Sequence, residues 1–246
     1  MKQYEDETYI VALSGGKDST AMAIRLTEVE PKEYIYICTP TGDELPEMYT
    51  HWNKLEDILG QEIIRLEYPG GLKGCMEKNN AIPNWRMRFC TRQLKIEIME
   101  KWMTDKPNPV LYVGLRADEA GREGGIYKNA EVDFPFRRWD WGLKEVMTYL
   151  DEKDVKIPRR TDCARCFFQR LGEWYMLWRD YPEIYADAVA DEKLYGHTYR
   201  SETKDAWPGA LDNLAMEFKS GRIPMGVDMH EDLFGFEANQ CRVCSL

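Results

Sequence analysis

A doubly wound α/β fold is predicted by three features of this sequence. Short, nearly continuous apolar runs recur, as strands buried on both faces of a parallel sheet require. Segments of helical periodicity separate them, giving the alternation of a βαβ chain. A glycine-rich turn, Ser14-Gly15-Gly16-Lys17-Asp18-Ser19, stands where the first run gives way to the first helix.

The first run is residues 9–13, and Ala21, Ile24 and Leu26 mark the helix after it. Residues 34–38 then read as a second strand, at the distance a crossover connection needs. Residues 48–59 predict a helix, 62–66 a strand, 93–102 a helix and 110–115 another buried strand. A short amphipathic helix follows over 143–150, and the stretch 156–166 is irregular, with a proline, basic residues and a C-x-x-C pair. Beyond it the composition turns helical and rich in Trp and Tyr over 171–190, with a break expected at Pro182. A last helix over 208–219 is stopped by Gly221 and Pro224. The expected organisation is a nucleotide-binding α/β domain over 1–155 and a helical, cysteine-bearing segment over 156–246 that packs on it.

The chain has 246 residues, 43% hydrophobic and 31% charged, enough to bury a substantial core without disulfides. Its amino terminus lacks the basic start and apolar run of an export signal, and no apolar stretch is long enough to span a bilayer. A soluble, cytoplasmic protein with no membrane partner is expected. In that compartment seven cysteines stay reduced, which favours metal binding or thiol chemistry. A net charge of −10 argues against strong autonomous DNA binding, because such affinity rests on Lys and Arg contacts. Basic residues nevertheless gather at Arg86, Arg88, Arg92 and Lys95, and again at Arg159, Arg160, Arg165 and Arg170, which suits a small anion.

The turn at 14–19 has the means to hold phosphate. Backbone N–H groups and the positive end of the helix dipole converge there. The glycines permit close approach, Lys17 supplies a charge, and Ser14 and Ser19 can donate hydroxyl hydrogen bonds. Asp18 can orient the loop or face Mg2+. The glycine-to-lysine spacing is too short for a P-loop NTPase. The plainer alternative is a capped helix start with no ligand.

Ser-Gly-Gly-Lys-Asp-Ser resembles the signature of the PP-loop ATP pyrophosphatase superfamily. Thr41-Gly42-Asp43-Glu44-Leu45-Pro46-Glu47 resembles the T-G-x-x-x-P-E segment of its branch of phosphoadenylyl sulfate (PAPS) reductases and DndC-like sulfur-modification proteins. Gly114-Leu115-Arg116-Ala117-Asp118-Glu119, followed by Arg122, is similar to the G-x-R-x-x-E segment of that branch, and the stretch from Arg88 through Cys90 to Lys95 to its C-[TC]-x-x-x-K segment. All fall at or beyond the carboxyl ends of expected strands, where open α/β sheets bind ligands. The resemblance implies ATP or an adenylyl sulfate as substrate with Mg2+. It places nucleotide contacts at residues 14–19, Thr41, Gly42, Gly114 and Arg116. Anion or substrate contacts fall to Glu44, Arg86, Arg88, Arg92, Lys95, Glu119 and Arg122, and catalytic roles to Lys17, Asp18 and Cys90. An ordinary ion pair is the alternative for Arg116 and Glu119.

Cys163-Ala-Arg-Cys166 and Cys241-Arg-Val-Cys244 make two C-x-x-C pairs, together a full tetrahedral thiolate set. Zn2+ held by Cys163, Cys166, Cys241 and Cys244 is one reading. A [4Fe-4S] cluster on Cys90, Cys163 and Cys166 with a fourth thiolate from the tail is the other. Cys38 reads as a buried strand residue and Cys75 as a loop residue. His197 is read as a packed or surface residue ahead of a ligand, Trp174, Tyr175, Trp178 and Tyr181 as a helix packing face, and Trp85 as a core residue ahead of a base-stacking one.

Three functions are open at this point. The first is an enzyme that activates or transfers a sulfur or oxyanion group, in nucleic-acid sulfur modification among other settings, with a protein partner supplying sulfur, electrons or the nucleic-acid surface. The second is an assimilatory PAPS or APS reductase, and the third a non-catalytic ATP-sensing or assembly module.

Overall fold

Apolar runs bounded by turns become five short strands: β1 (Thr8–Ala12), β2 (Tyr34–Cys38), β3 (Ile63–Arg65), β4 (Pro109–Tyr112) and β5 (Glu131–Asp133). They form one sheet of order β3-β2-β1-β4-β5 in a computed structural model that describes residues 7–119, 121–122, 127–201, 205–225 and 227. Every pairing is parallel, with Val11 opposite both Tyr36 and Tyr112. The chain moves outward from β1 to β3, then returns to the far side of β1 for β4. Strand order therefore reverses between β1 and β4, and a crevice opens at their carboxyl ends.

Alternation along the strands divides the core in two. Val11, Tyr36, Val110 and Tyr112 pack under α1 (Lys17–Val29), α2 (Pro46–Leu59) and α7 (Leu143–Glu152). Ile10, Ile37 and Leu111 face the other way, onto Met99 and Met103 of α5 (Glu97–Met103). A third cluster joins α3 (Gly71–Asn79) to the aromatic helices α8 (Leu171–Asp180), α9 (Pro182–Tyr195) and α10 (Leu211–Lys219). Trp174 and Tyr175 are buried in it, as their helical spacing predicts. Pro182 begins α9, the one helical position where its missing N–H costs nothing.

Some elements escape sequence patterning. The helix α3 opens on Gly70 and Gly71, both at positive φ. Gly71 permits a close approach, since a Cβ on it would lie 2.6 Å from the Thr41 carbonyl oxygen. Cys75 is accordingly a buried helix residue and not a loop residue. Strand β5 is three residues with one apolar side chain, too short for a period to show. The expected helix over 93–102 is a composite of α4 (Phe89–Thr91), a π-helical turn (Arg92–Ile96) and α5. The short α6 (Pro135–Arg138) completes the set. No described helix is long and apolar enough to cross a membrane.

Candidate active site

The turn at 14–19 leaves β1 at the switch point and enters α1, with Gly16 as its N-cap. Its hydroxyls brace it from within. Ser14 Oγ lies 2.9 Å from Ser19 Oγ and accepts from the Gly16 N–H at 3.3 Å, and Ser19 Oγ donates to the Gly16 carbonyl at 3.1 Å. Gly15 sits at φ +85°, where a side chain is strained, and a Cβ there would fall 2.7 Å from Trp52 Nε1 and 2.9 Å from Met48 Cε.

Those neighbours belong to α2, which carries groups that sequence reasoning missed. Trp52 Nε1 donates to the Ser14 carbonyl at 3.1 Å. His51, buried one residue earlier, hydrogen-bonds the Gly15 backbone. Burial holds its imidazole neutral, with a pKa lowered to about 4. The only sequence signal was the i, i+3, i+4 face of Met48, His51 and Trp52, which reads as ordinary core.

Lys17 is wholly buried, its Nζ 3.1 Å from Asp18 Oδ2. Arg116, arriving from the end of β4 and also buried, places Nη1 3.1 Å from both Asp18 oxygens. Asp18 thus stands between two cations and ties the start of α1 to the exit of β4. Gly114 permits that closure, since a Cβ on it would lie 3.1 Å from the Asp18 carbonyl carbon. Arg116 Nε reaches Asp118 at 2.9 Å and Nη2 approaches Glu119 at 3.6 Å. Glu119 also accepts from Arg122. Arg116 and Glu119 do form the ion pair that was the alternative reading.

Across the crevice, Glu44 accepts from the Thr41 N–H at 2.7 Å, Thr41 Oγ1 at 2.6 Å, the Asp43 N–H at 3.2 Å and Tyr49 at 3.4 Å. This carboxylate shapes the turn around Thr41 and Gly42. Asp18, Glu44 and Glu119 each already face several protein donors.

Behind the Thr41 turn lies a cavity of about 20 Å³ lined by Thr41, Cys90, Lys95, Cys163 and Cys166, with Pro83 and Leu94 also on its wall. Three thiols line this one cavity, and Arg165, between the paired cysteines, is held from two sides. Its Nε reaches Asp43 at 2.6 Å and its Nη1 Asp191 of α9 at 2.7 Å. Cys163 hydrogen-bonds Cys166, which lowers the Cys166 pKa, helped by Arg160, and raises that of Cys163. Burial raises Cys90.

Among the described residues no group of three or more Cys, His, Asp or Glu is placed to hold a metal, and Cys241 and Cys244 lie outside them. Thiols of this kind suit zinc or an iron-sulfur cluster in chemistry. The segment that carries Cys163 and Cys166 adjoins the phosphate loop: a Cβ on Gly16 would lie 3.5 Å from Thr161 Oγ1, two residues before Cys163.

The basic residues divide. Arg86 and Arg92 are exposed, Arg92 paired with Glu97 at 2.6 Å, while Arg88 lies over the Phe168 ring and Lys95 lines the thiol cavity. Trp85 is 67% exposed and not a core residue. His197 is structural, its ring within 3.1 Å of the Ile82 N–H and 3.0 Å of the Ile82 carbonyl.

A parallel sheet with a braced glycine loop at its switch point and a charged clasp of Lys17, Asp18 and Arg116 beside it defines a PP-loop α/β protein. The chain belongs to the phosphoadenosine phosphosulfate reductase domain family, whose profile matches residues 8–175. Two of the solved structures that it resembles are as follows. The PAPS reductase of Candida auris, in a phosphate complex, is 14% identical with TM-score 0.49, over 63% of this chain and 76% of that one. The NMN synthetase of Francisella tularensis is 15% identical with TM-score 0.47, over 93% and 91%. No curated protein matches the chain in sequence.

Proposed function

We propose that this chain is an enzyme that binds ATP or an adenylyl sulfate at residues 14–19 and activates or transfers a sulfur or oxyanion group, with nucleic-acid sulfur modification as the setting. The observation that carries this is the loop itself, at the switch point with Lys17 and Arg116 set beneath it. Backbone amides at the start of α1 suit the phosphates. Thr41, Gly42 and Gly114 flank them, and magnesium enters with the nucleotide. Lys17 supplies fixed positive charge where negative charge develops, and Asp18 positions it.

Cys90 and Cys166 line one cavity, and the segment that carries Cys163 and Cys166 adjoins the loop through Thr161, so Cys90 and Cys166 are the groups to carry or accept sulfur. A soft metal would be held by Cys163 and Cys166 with Cys90 or the tail pair, Cys241 and Cys244. When bound, it would supply thiolate-level redox or sulfur chemistry to the site. A reductase reading draws support from the family match: a thiolate attacks the sulfur of an adenylyl sulfate and displaces the nucleotide phosphate, and a second thiol from a dithiol reductant then attacks the S-sulfo-cysteine, releasing sulfite and leaving a disulfide.

Product analysis tests the reading. Anaerobically prepared protein is incubated with ATP, and separately with an adenylyl sulfate in the presence of a dithiol reductant. AMP and pyrophosphate from ATP support the activating enzyme, and sulfite from the adenylyl sulfate supports the reductase. Tight nucleotide binding with neither product would leave an ATP-sensing module. Metal and sulfide analysis of the same sample assigns zinc or a cluster.

A further inference from the structure

Residues 78–96 contain five cations, Lys78, Arg86, Arg88, Arg92 and Lys95, and no acidic residue, in a chain of net charge −10. Within them, residues 84–87 form a turn locked by its own hydrogen bonds. Asn84 Oδ1 accepts from the Arg86 N–H at 2.9 Å and the Met87 N–H at 3.0 Å, and the Asn84 N–H donates to the Met87 carbonyl at 3.2 Å. Buried Ile82, held by His197, anchors its base. This rigid tip displays Trp85 and Met87, 67% and 45% exposed, with the Arg86 guanidinium 4.6 Å from the indole centroid. Leaving an indole in water on a fixed turn forgoes the burial that usually places Trp in a core.

The tip is also the rim of the thiol cavity. The chain leaves the cavity wall at Pro83 and returns to it at Cys90. We infer that residues 84–92 are a docking platform for a short single-stranded nucleic acid, which presents one base toward the thiols. An exposed aromatic face beside a guanidinium group matches that ligand: a base stacks on Trp85 while the exposed Arg86 meets a phosphate, Arg92 being paired with Glu97 and Arg88 lying over Phe168. A duplex keeps its faces stacked and offers none to the indole. The acidic remainder of the molecule repels a long strand, so the footprint is a few nucleotides. This deepens the acceptor half of the proposed function and rests on that reading.

The test is fluorescence anisotropy with labelled single-stranded 12-mers of DNA and of RNA, and a 12-bp duplex, at low salt. Wild type is expected to bind a single strand measurably and the duplex more weakly. Trp85→Ala should weaken single-strand binding about tenfold, the loss of one stacked base, and Trp85→Phe should restore most of it. Arg86→Ala should lower the salt dependence. ATP affinity of Trp85→Ala is measured alongside and should not change. No single-strand binding by wild type, equal binding of duplex, or an unaltered Trp85→Ala overturns the platform, the last leaving a general polyanion surface. Failure of ATP turnover with Trp85-dependent strand binding intact would remove the proposed function and leave the platform.

Discussion

Lys17 and Gly15 carry the most at the level of single residues. Lys17→Ala removes the fixed charge beneath the loop and should lower turnover by about 10²–10³-fold, as loss of one preorganised donor does elsewhere. A variant with wild-type turnover and nucleotide affinity would take the loop out of the mechanism. Gly15→Ala forces a Cβ into Trp52 at a positive φ. It should cost about 1–3 kcal/mol of stability in a denaturant melt, the usual range for a strained backbone, and should weaken nucleotide binding with it. His51 adds a pH dependence. Its pKa falls from 6.5 to about 4 on folding, so between those values the unfolded chain takes up a proton that the folded chain excludes. Its contribution is full above pH 6.5 and is lost as pH falls toward 4. The size is on the order of 3 kcal/mol by linkage. His51→Gln should flatten that part of the stability profile, and an unchanged slope would place the acid sensitivity elsewhere.

Between elements, α2 acts as the support for the loop. Trp52 hydrogen-bonds Ser14 while Met48 packs beneath Gly15, so the helix sets where the phosphate loop lies relative to β1. Trp52→Phe keeps the bulk and removes the bond, at a cost of about 1 kcal/mol. A raised nucleotide KM at nearly constant kcat is the expected signature, whereas a lowered kcat alone would assign Trp52 to the chemical step. The π-helical turn after Cys90 has a parallel role at the thiol cavity. Its extra residue turns Lys95 and Leu94 onto the cavity wall.

For the molecule as a whole, Arg165 is the bolt. It links Asp43, at the end of β2, to Asp191 of α9, both largely buried, and the third hydrophobic cluster spans the same junction. Arg165→Ala leaves two buried carboxylates without their cation and should cost ~3–5 kcal/mol. A calorimetric scan then decides how the two parts relate. One transition shifted as a unit means that residues 1–155 and 156–246 fold together, and two transitions mean that they are separable domains. The charge map also belongs to this scale. The net −10 of the whole chain hides the cation-only stretch at 78–96, so net charge reported on solubility and missed a local surface.

Much of this was legible in the sequence because it is local. Buried parallel strands need apolar runs, and a phosphate loop needs glycines at the strand-to-helix turn, so 9–13 and 14–19 stood out. The aromatic spacing of Trp174 and Tyr175 declared a packing face for the same reason. What tertiary structure decided was contact between distant segments. Asp18 meets Arg116 only because β4 returns beside β1, and Cys90 shares a cavity with Cys163 and Cys166, whose segment Arg165 anchors to Asp43 and Asp191. Strand order and the exposure of Trp85 are global outcomes, since no hydrophobic period records which neighbour a side chain will find.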